Sequence, residues 1–350
     1  MRINVSLKEF QEVIKKSNKL LSNCPKLPVI ETLCIETSNQ IITAKVTNLL
    51  ESIIFNIDGA VEESGTTIIP KDIMKFVSKI KGVNRITITD GLIYAGNKEI
   101  KFVPEFTIHD YPEINNDFDN LLFATTEKQL SDMLTVKYAA AGADDEDRPS
   151  FMSVYLDKDN ILATDRYRIS KRKHNLNINI DNYILMPINA INNLSSFLSN
   201  KDGVVECFIS DNQVGFKFGN LFHFFRLHEC KTYPNIYNVY PEWKIEMEVS
   251  RKEFLNELEF IKNVGKVIKL RTEDGSIFIN VTDTNNNSIT SKIEGETITN
   301  GIERENTLLN SRFLHDALKN YGGDVIPIRF QSESCYSAME LGNDFILPIR

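Results

Sequence analysis

The sequence predicts an α+β chain of three tandem, similar domains, each with two helices packed on antiparallel sheets. Three observations predict it. A helix-start signature recurs at Ser6, Thr126 and Ser250, where each hydroxyl stands three residues before Glu9, Gln129 or Glu253. An apolar strand runs straight into a second helix at Pro70, Pro187 and Asn310. Gly-Asn pairs begin at Gly96, Gly219 and Gly342, each 123 residues from the last, and such pairs supply the positive φ of tight hairpins.

Taken in order, the first domain spans residues 1–121. Its first helix follows Ser6 and carries Phe10, Val13, Ile14, Leu20 and Leu21 at helical spacing. The strand TTIIP ends at Pro70 and starts the second helix. The stretch NRITITDGLIYAGNKEIKFV then alternates β-branched and aromatic residues with polar ones, as half-buried strands do. The second domain, 122–243, repeats the order with TTEKQL, YILMP and Gly219-Asn220, and the third, 244–350, with VSRKEF, TLLN and Gly342-Asn343. A Thr-Asn or Thr-Asp pair also ends one strand per domain, at Thr47-Asn48, Thr164-Asp165 and Thr282-Asp283.

Composition narrows the function classes. Hydrophobic residues make up 42% of 350, ordinary for a globular chain, and the formal charge is -8. That balance argues against a surface that binds nucleic acid all over, while leaving room for a local basic stripe. The start MRINVSLKEF lacks signal-peptide anatomy and no apolar run reaches membrane-span length, so the expectation is a cytoplasmic protein with no membrane partner. Five cysteines, Cys24, Cys34, Cys207, Cys230 and Cys335, have no CxxC spacing and read as reduced packing residues.

No phosphate loop, dinucleotide fingerprint, HExxH or GxSxG motif is present, and the five histidines lack ligand spacing. The acidic run Asp144, Asp145, Glu146 and Asp147 reads as a solvated loop. The expectation is a protein that is not an enzyme and holds no cofactor or metal. Lysines carry more information. Lys8, Lys15 and Lys19 share one face of the first helix; Lys71, Lys75 and Lys79 recur at i, i+4 on the second; and Arg251, Lys252, Lys262, Lys266 and Lys269 are assigned to the first helix of the third domain. Repeated helices of stacked domains would sum their positive potential into a surface for phosphates.

Tandem domains, basic helices and an absence of chemistry together resemble the bacterial sliding clamp, the beta subunit of DNA polymerase III. The resemblance is collinear over the chain. It runs from KLPVIETLCIE and QIITAKVTNLLESI through FTIHDYPEI, RPSFMSV and LATDRYRIS to YPNIYNVYP and LPIR. It implies the DNA clamp fold, a head-to-tail homodimer closed into a ring, helices lining a hole that passes duplex DNA without sequence specificity, and docking of partner proteins on one face. The implied partners are a DNA polymerase catalytic subunit, the clamp loader and other proteins with a short clamp-binding motif.

Carried across residue by residue, the resemblance implies a pocket for a short hydrophobic peptide. It is built from Phe151, Thr164, Arg166, Tyr167, Arg168, Ile169, Pro234, Asn238, Val239, Phe345, Ile346, Leu347, Pro348, Ile349 and Arg350. Apolar floor residues would accept leucine or phenylalanine anchors, and rim arginines would orient the peptide. The expected DNA-facing residues are Lys15, Lys19, Lys26, Lys75, Lys79, Lys266 and Lys269, and the expected dimer contacts are Lys98, Ile100, Lys101 and Phe102 against Glu294 and Glu296. Two departures stand out: Cys24 replaces an arginine common before Pro25, and Arg166 stands where the family usually has glycine or serine. The alternative reading is a repetitive β-rich interaction scaffold that no longer encircles DNA.

Overall fold

The computed structural model describes residues 1–21, 26–142, 148–199, 201–230, 233–234, 236, 240–261, 263–298, 304–332 and 334–349. Cys24, the acidic run 144–147, Lys262 and the pocket candidates Asn238, Val239 and Arg350 lie outside the described residues.

The helix-start signatures hold in part. Helix α1, Leu7–Ser17, begins at Ser6, whose Oγ accepts from the Glu9 N–H. Helices α3, Glu127–Met133, and α5, Arg251–Ile261, begin the same way, with Thr126 Oγ1 accepting from Gln129 N and Ser250 Oγ from Glu253 N. The reciprocal half of the box is diverted in the first copy: Glu9 Oε1 accepts from the Asp58 N–H instead. The second helices are α2, Lys71–Val77, α4, Ile188–Phe197, and α6, Ser311–Asn320. Pro70 and Pro187 close the preceding strands, Pro70 acting as N-cap, whereas Asn310 caps α6 by accepting from Arg312 N. All three hairpin glycines, Gly96, Gly219 and Gly342, have positive φ as expected.

Each helix buries one stripe. Helix α1 buries Leu7, Phe10, Val13 and Ile14, and α5 and α6 contribute Phe254, Leu258, Ile261, Leu314, Ala317 and Leu318 to one core with Met247, Ile268, Ile279 and Ile328. At about 25 cal/mol per Å² of apolar surface removed from water, each large side chain in such a stripe contributes roughly 2 kcal/mol. Helix α5 stops at Ile261, and Lys269 lies on the strand Val267–Glu273. The expectation that Lys266 and Lys269 extend this helix is therefore corrected; the alternation Ile268, Leu270 inward with Lys269 outward has the period of a strand.

Among the described residues all sheet pairings are antiparallel, and two sheets join strands from different thirds of the sequence. One has eight strands, in the order Asn120–Thr126, Val204–Ile209, Gln213–Phe218, Leu221–Arg226, Glu51–Ile57, Ile41–Thr47, Thr32–Ser38 and Thr66–Pro70. The other has nine, passing through Ile184–Pro187, Ser153–Leu156, Asn160–Thr164, Arg168–Lys173, Asp344–Ile346, Met339–Leu341, Val325–Phe330, Ile245–Ser250 and Gly295–Thr297. The chain accordingly forms two compact units. One comprises Met1–Asp132, Leu176–Asp181 and Asn189–His228; the other comprises Met133–Asn175, Asn182–Ile188 and Glu229–Arg350. Strand pairing thus shares the middle third between both units.

Candidate functional site

The segment Thr164 to Arg168 is a corner held by its own side chains. Thr164 Oγ1 accepts from Arg166 N at 3.1 Å and donates to the Arg168 carbonyl at 2.7 Å. Asp165 Oδ1 accepts from the N–H groups of Tyr167 and Arg168 at 3.1 and 3.0 Å. These bonds satisfy a reversing backbone locally, which is why Thr and Asp suit the turn. Arg166 pays for the reversal with φ 79°, a left-handed conformation that favours glycine.

The same corner occurs earlier in the chain. Leu49 N donates to Thr47 Oγ1, and Leu50 N and Glu51 N donate to Asn48 Oδ1, with Leu49 at φ 75°. The residue that closes each corner differs. Glu51 is buried, accepts from Asn193 on α4 and lies 2.5 Å from His223 Nε2. Arg168, 5% exposed, binds Asp165 Oδ2 at 3.0 Å, Asp316 Oδ2 of α6 at 2.7 Å and the Tyr138 carbonyl at 2.6 Å, with its guanidinium 4.5 Å from the Phe313 ring centroid. The expectation that Arg168 forms part of a rim is corrected: burial between two carboxylates makes it the fastener of the corner. Removing one partner of such a group costs about 3–5 kcal/mol.

Next to this corner the last strand, Asp344–Ile346, pairs with Arg168–Lys173. Successive residues point to opposite faces. Phe345 packs with Tyr155, Tyr240 and Trp243, while Ile346, fully buried, enters the core beneath α5 and α6. Asp344 accepts from the Tyr138 hydroxyl and has Arg172 Nη1 at 3.6 Å; burial holds its carboxyl above the usual carboxylate range. Burial likewise raises the Tyr138 hydroxyl, with Asp344 adding to it, and lowers the ammonium of Lys171, which lies 4.1 Å from the Tyr240 ring centroid. Beyond Ile346 the chain is held by Leu347 N donating to the Tyr167 carbonyl at 2.9 Å and Ile349 N to the Leu308 carbonyl at 2.8 Å.

These pieces enclose a cavity of about 560 Å³. Tyr167, Leu347, Pro348 and Ile349 line it, joined by Phe313 and Tyr336, with Arg166 and Asn310 as its polar members. Of the residues expected from sequence, Arg166, Tyr167, Leu347, Pro348 and Ile349 meet at the cavity. Thr164, Arg168, Ile169, Phe345 and Ile346 are buried, and Pro234 is exposed, outside the lining. Phe151 sits under Arg166, 5.7 Å from its guanidinium carbon to the ring centroid. Asn310, Phe313 and Tyr336 escaped the sequence reading. The TLLN cap fixed where α6 begins, which is the signal that could have placed Asn310 and Phe313 on its first turn.

Tyr336 reaches the cavity from a loop fastened by a buried arginine. Arg304 donates to the Ser332 carbonyl, Ser337 Oγ, the Ser337 carbonyl and Thr307 Oγ1, and lies 4.4 Å from the Phe330 ring centroid. Burial lowers its guanidinium to about 10, still protonated at neutral pH.

The lysines and sheet edges are placed as follows. Lys15 and Lys75 are exposed on α1 and α2 and lie 3.8 Å from Glu12 and 2.7 Å from Asp72. Lys19, Lys26, Lys79 and Lys266 are exposed in turns or loops, and Lys269 on a strand. Lys98, Ile100 and Lys101 lie on Lys98–Lys101, the outermost strand of the five-stranded sheet. Phe102, expected at an interface, is buried in its own chain and its N–H donates to the Gly91 carbonyl; Val103, 80% exposed, is the apolar residue that this edge presents. Glu294 follows Ser288–Ile293, an outer strand of the four-stranded sheet, and Lys292 Nζ lies 2.6 Å from it; Glu296 lies on the edge strand Gly295–Thr297 of the nine-stranded sheet. Among the described residues no cluster of His, Cys, Asp and Glu could hold a metal ion.

Residues 127–235 match the family described as DNA polymerase III beta subunit, central domain. The beta sliding clamp of Staphylococcus aureus is 27% identical over 221 residues, covering 59% of this chain and 58% of that protein. The chain thus aligns with a little over half the length of this relative. The DNA polymerase sliding clamp from Bacillus subtilis superposes over 100% of this chain and 99% of its own with a TM-score of 0.89 at 20% identity. The DNA polymerase III subunit beta from Pseudomonas aeruginosa does so over 100% of both chains with a TM-score of 0.88 at 16% identity. By fold throughout, and by sequence in its middle third, the chain is similar to the DNA polymerase III beta subunits, and it has the DNA clamp fold.

Proposed function

We propose that this chain is a sliding clamp: two copies associate head to tail, duplex DNA passes through the ring, and replication proteins are tethered by short hydrophobic peptides. The observation that carries the reading is the cavity where the Thr164 to Arg168 corner, the first turn of α6 and the C-terminal segment converge. Its volume and apolar lining suit one or two large apolar side chains, with Arg166 and Asn310 at hand to orient a backbone. The implied partners are duplex DNA, a polymerase catalytic subunit, the clamp loader and other proteins that carry such a segment.

The chemistry agrees with a tether. A ring holds DNA by enclosure, so phosphate contacts from exposed lysines need only be weak and mobile. Lys15, Lys19, Lys26, Lys75 and Lys79 fit that role; Lys266 and Lys269 remain candidates as isolated surface cations, the shared helix face that first grouped them being absent. We assign the protein no catalytic step, cofactor or membrane association, and a cytoplasmic location.

Titration of a labelled peptide of the Gln-Leu-x-Leu-Phe type tests the pocket, and mass in solution tests the ring. The reading predicts saturable binding that Leu347→Asp abolishes, and a species near twice 40.0 kDa. A monomer that binds the peptide would instead identify an interaction scaffold.

A further inference from the structure

The two corners dock on two different helices through the same contact with its polarity reversed. Glu51 and Arg168, which close the corners, stand 117 residues apart, as do Thr47 and Thr164. Asn193 and Asp316 are each the sixth residue of their helices, α4 and α6, and stand 123 residues apart, as do Gly219 and Gly342. In one unit Asn193 Nδ2 donates to both carboxylate oxygens of Glu51, at 3.1 and 3.0 Å. In the other, Arg168 Nη1 donates to Asp316 Oδ2 at 2.7 Å.

The neighbouring positions follow the reversal. Asn48 Oδ1 and Asp165 Oδ1 do the same work for the backbone, each accepting from two N–H groups. That work needs one acceptor oxygen, which either side chain supplies. The neutral residue nevertheless stands beside Glu51, and the charged one beside Arg168, where Asp165 Oδ2 accepts from Arg168 Nε at 3.0 Å. His223 Nε2, 2.5 Å from Glu51 Oε1, completes the first set; the residue 123 places on is Ile346. Asn48, Glu51 and Asn193 thus face Asp165, Arg168 and Asp316 as two matched sets. Asn and Asp are nearly the same shape, so charge is what separates the flanking positions.

Glu51 and Arg168 are each 5% exposed, so a mismatch is costly. Glu51 docked against the acidic position of α6 would oppose two carboxylates. Arg168 docked against α4 would meet an amide and lose the carboxylate that reaches it from the helix. We propose that these paired positions are specificity determinants of folding. They direct the first corner to α4 and the second to α6, and they reject the exchanged dockings both within a chain and between two copies of it. The repeated corners and helices make such exchanges geometrically available.

The test uses the full chain and builds the mismatch in place. Hydrogen exchange of the amides in Glu51–Ile57 and Leu221–Arg226 reports on the first junction, with Arg168–Lys173 as the internal control. Asn193→Asp is expected to speed exchange at the first junction about tenfold or more, with the control unchanged. In the Glu51→Gln background the same substitution has little effect, because the new amide at position 51 can donate to the new carboxylate. An equal effect in both backgrounds shows only a lost donor and overturns the matched sets. Refolding tests the choice of helix. The double variant Glu51→Gln, Asn193→Asp offers Arg168 two acidic helices, so after unfolding in guanidinium chloride and dilution it should return a smaller fraction of native-mass protein than the wild type, with the remainder in larger species. Equal recovery overturns the selective role, whatever the exchange rates show.

Discussion

Arg166 and Leu49 occupy matching left-handed positions in two copies of one corner, so their substitution by glycine should act alike. Each change relieves a backbone cost of about 1–2 kcal/mol and loses part of that gain through the freer unfolded chain, giving a net stabilisation of up to about 1 kcal/mol. Chemical denaturation of Leu49→Gly and Arg166→Gly checks this, and destabilisation of both would show that the side chains matter more than the backbone. Asp344 carries a pH prediction. Burial raises its carboxyl above the ordinary 3.8, so the folded chain binds that proton more tightly than the unfolded one. Its contribution is greatest below the unfolded value and declines as pH rises through the raised folded value. The stability of the wild type relative to Asp344→Asn should therefore fall as pH rises above the ordinary carboxylate value of 3.8; a constant gap would contradict the shift. At this scale the sequence showed that Asp165, Arg166, Tyr167 and Arg168 belong together. It could not show that Arg168 is interior, because Phe313 and Asp316, which bury and pair it, lie far along the chain.

At the scale of elements, the C-terminal segment separates support from lining. Ile346 is fully buried in the core under α5 and α6, so Ile346→Asp places a carboxylate among aliphatic side chains and should destabilise the fold by about 4 kcal/mol or more. It is therefore unsuited as a probe of the pocket. Deleting residues 347–350 removes the lining of Leu347, Pro348 and Ile349 while leaving the strand Asp344–Ile346 intact. Peptide binding should vanish with a small change in thermal midpoint; a large fall in midpoint would make the segment structural. Helix starts and hairpins were legible because Ser6, Thr126, Ser250, Asn310 and the three Gly-Asn pairs act within a few residues of themselves. The end of α5 was not: the alternation Val267, Lys269, Arg271 outside and Ile268, Leu270 inside shows a strand, yet lysine spacing alone also fits a helix.

The whole molecule is organised by sheets that run from one third of the sequence into the next. The pairings Leu221–Arg226 with Glu51–Ile57 and Arg168–Lys173 with Asp344–Ile346 make those junctions continuous. Spacing led to the expectation of three similar thirds; the sharing of the middle third between two units was not legible, since strand partners far apart in sequence leave no local signal. The same logic extends to the proposed ring. Among the described residues, Lys98–Lys101 and Ser288–Ile293 each pair with a neighbouring strand on one side only, and pairing between copies would cover both. Ile100→Glu together with Val103→Glu should then reduce the mass in solution from twice 40.0 kDa to 40.0 kDa without unfolding the chain; an intact dimer would place the interface elsewhere. Enclosure of DNA is the central claim, and it is tested most directly by topology. The protein is assembled on a nicked circular plasmid with a bacterial clamp loader, freed of unbound protein by gel filtration at moderate salt, and the plasmid is then cut once. A clamp co-elutes with the circle and is lost from the linear product, with retention restored when both ends are blocked. Equal retention on circular and open linear DNA, or none on either, would contradict the account.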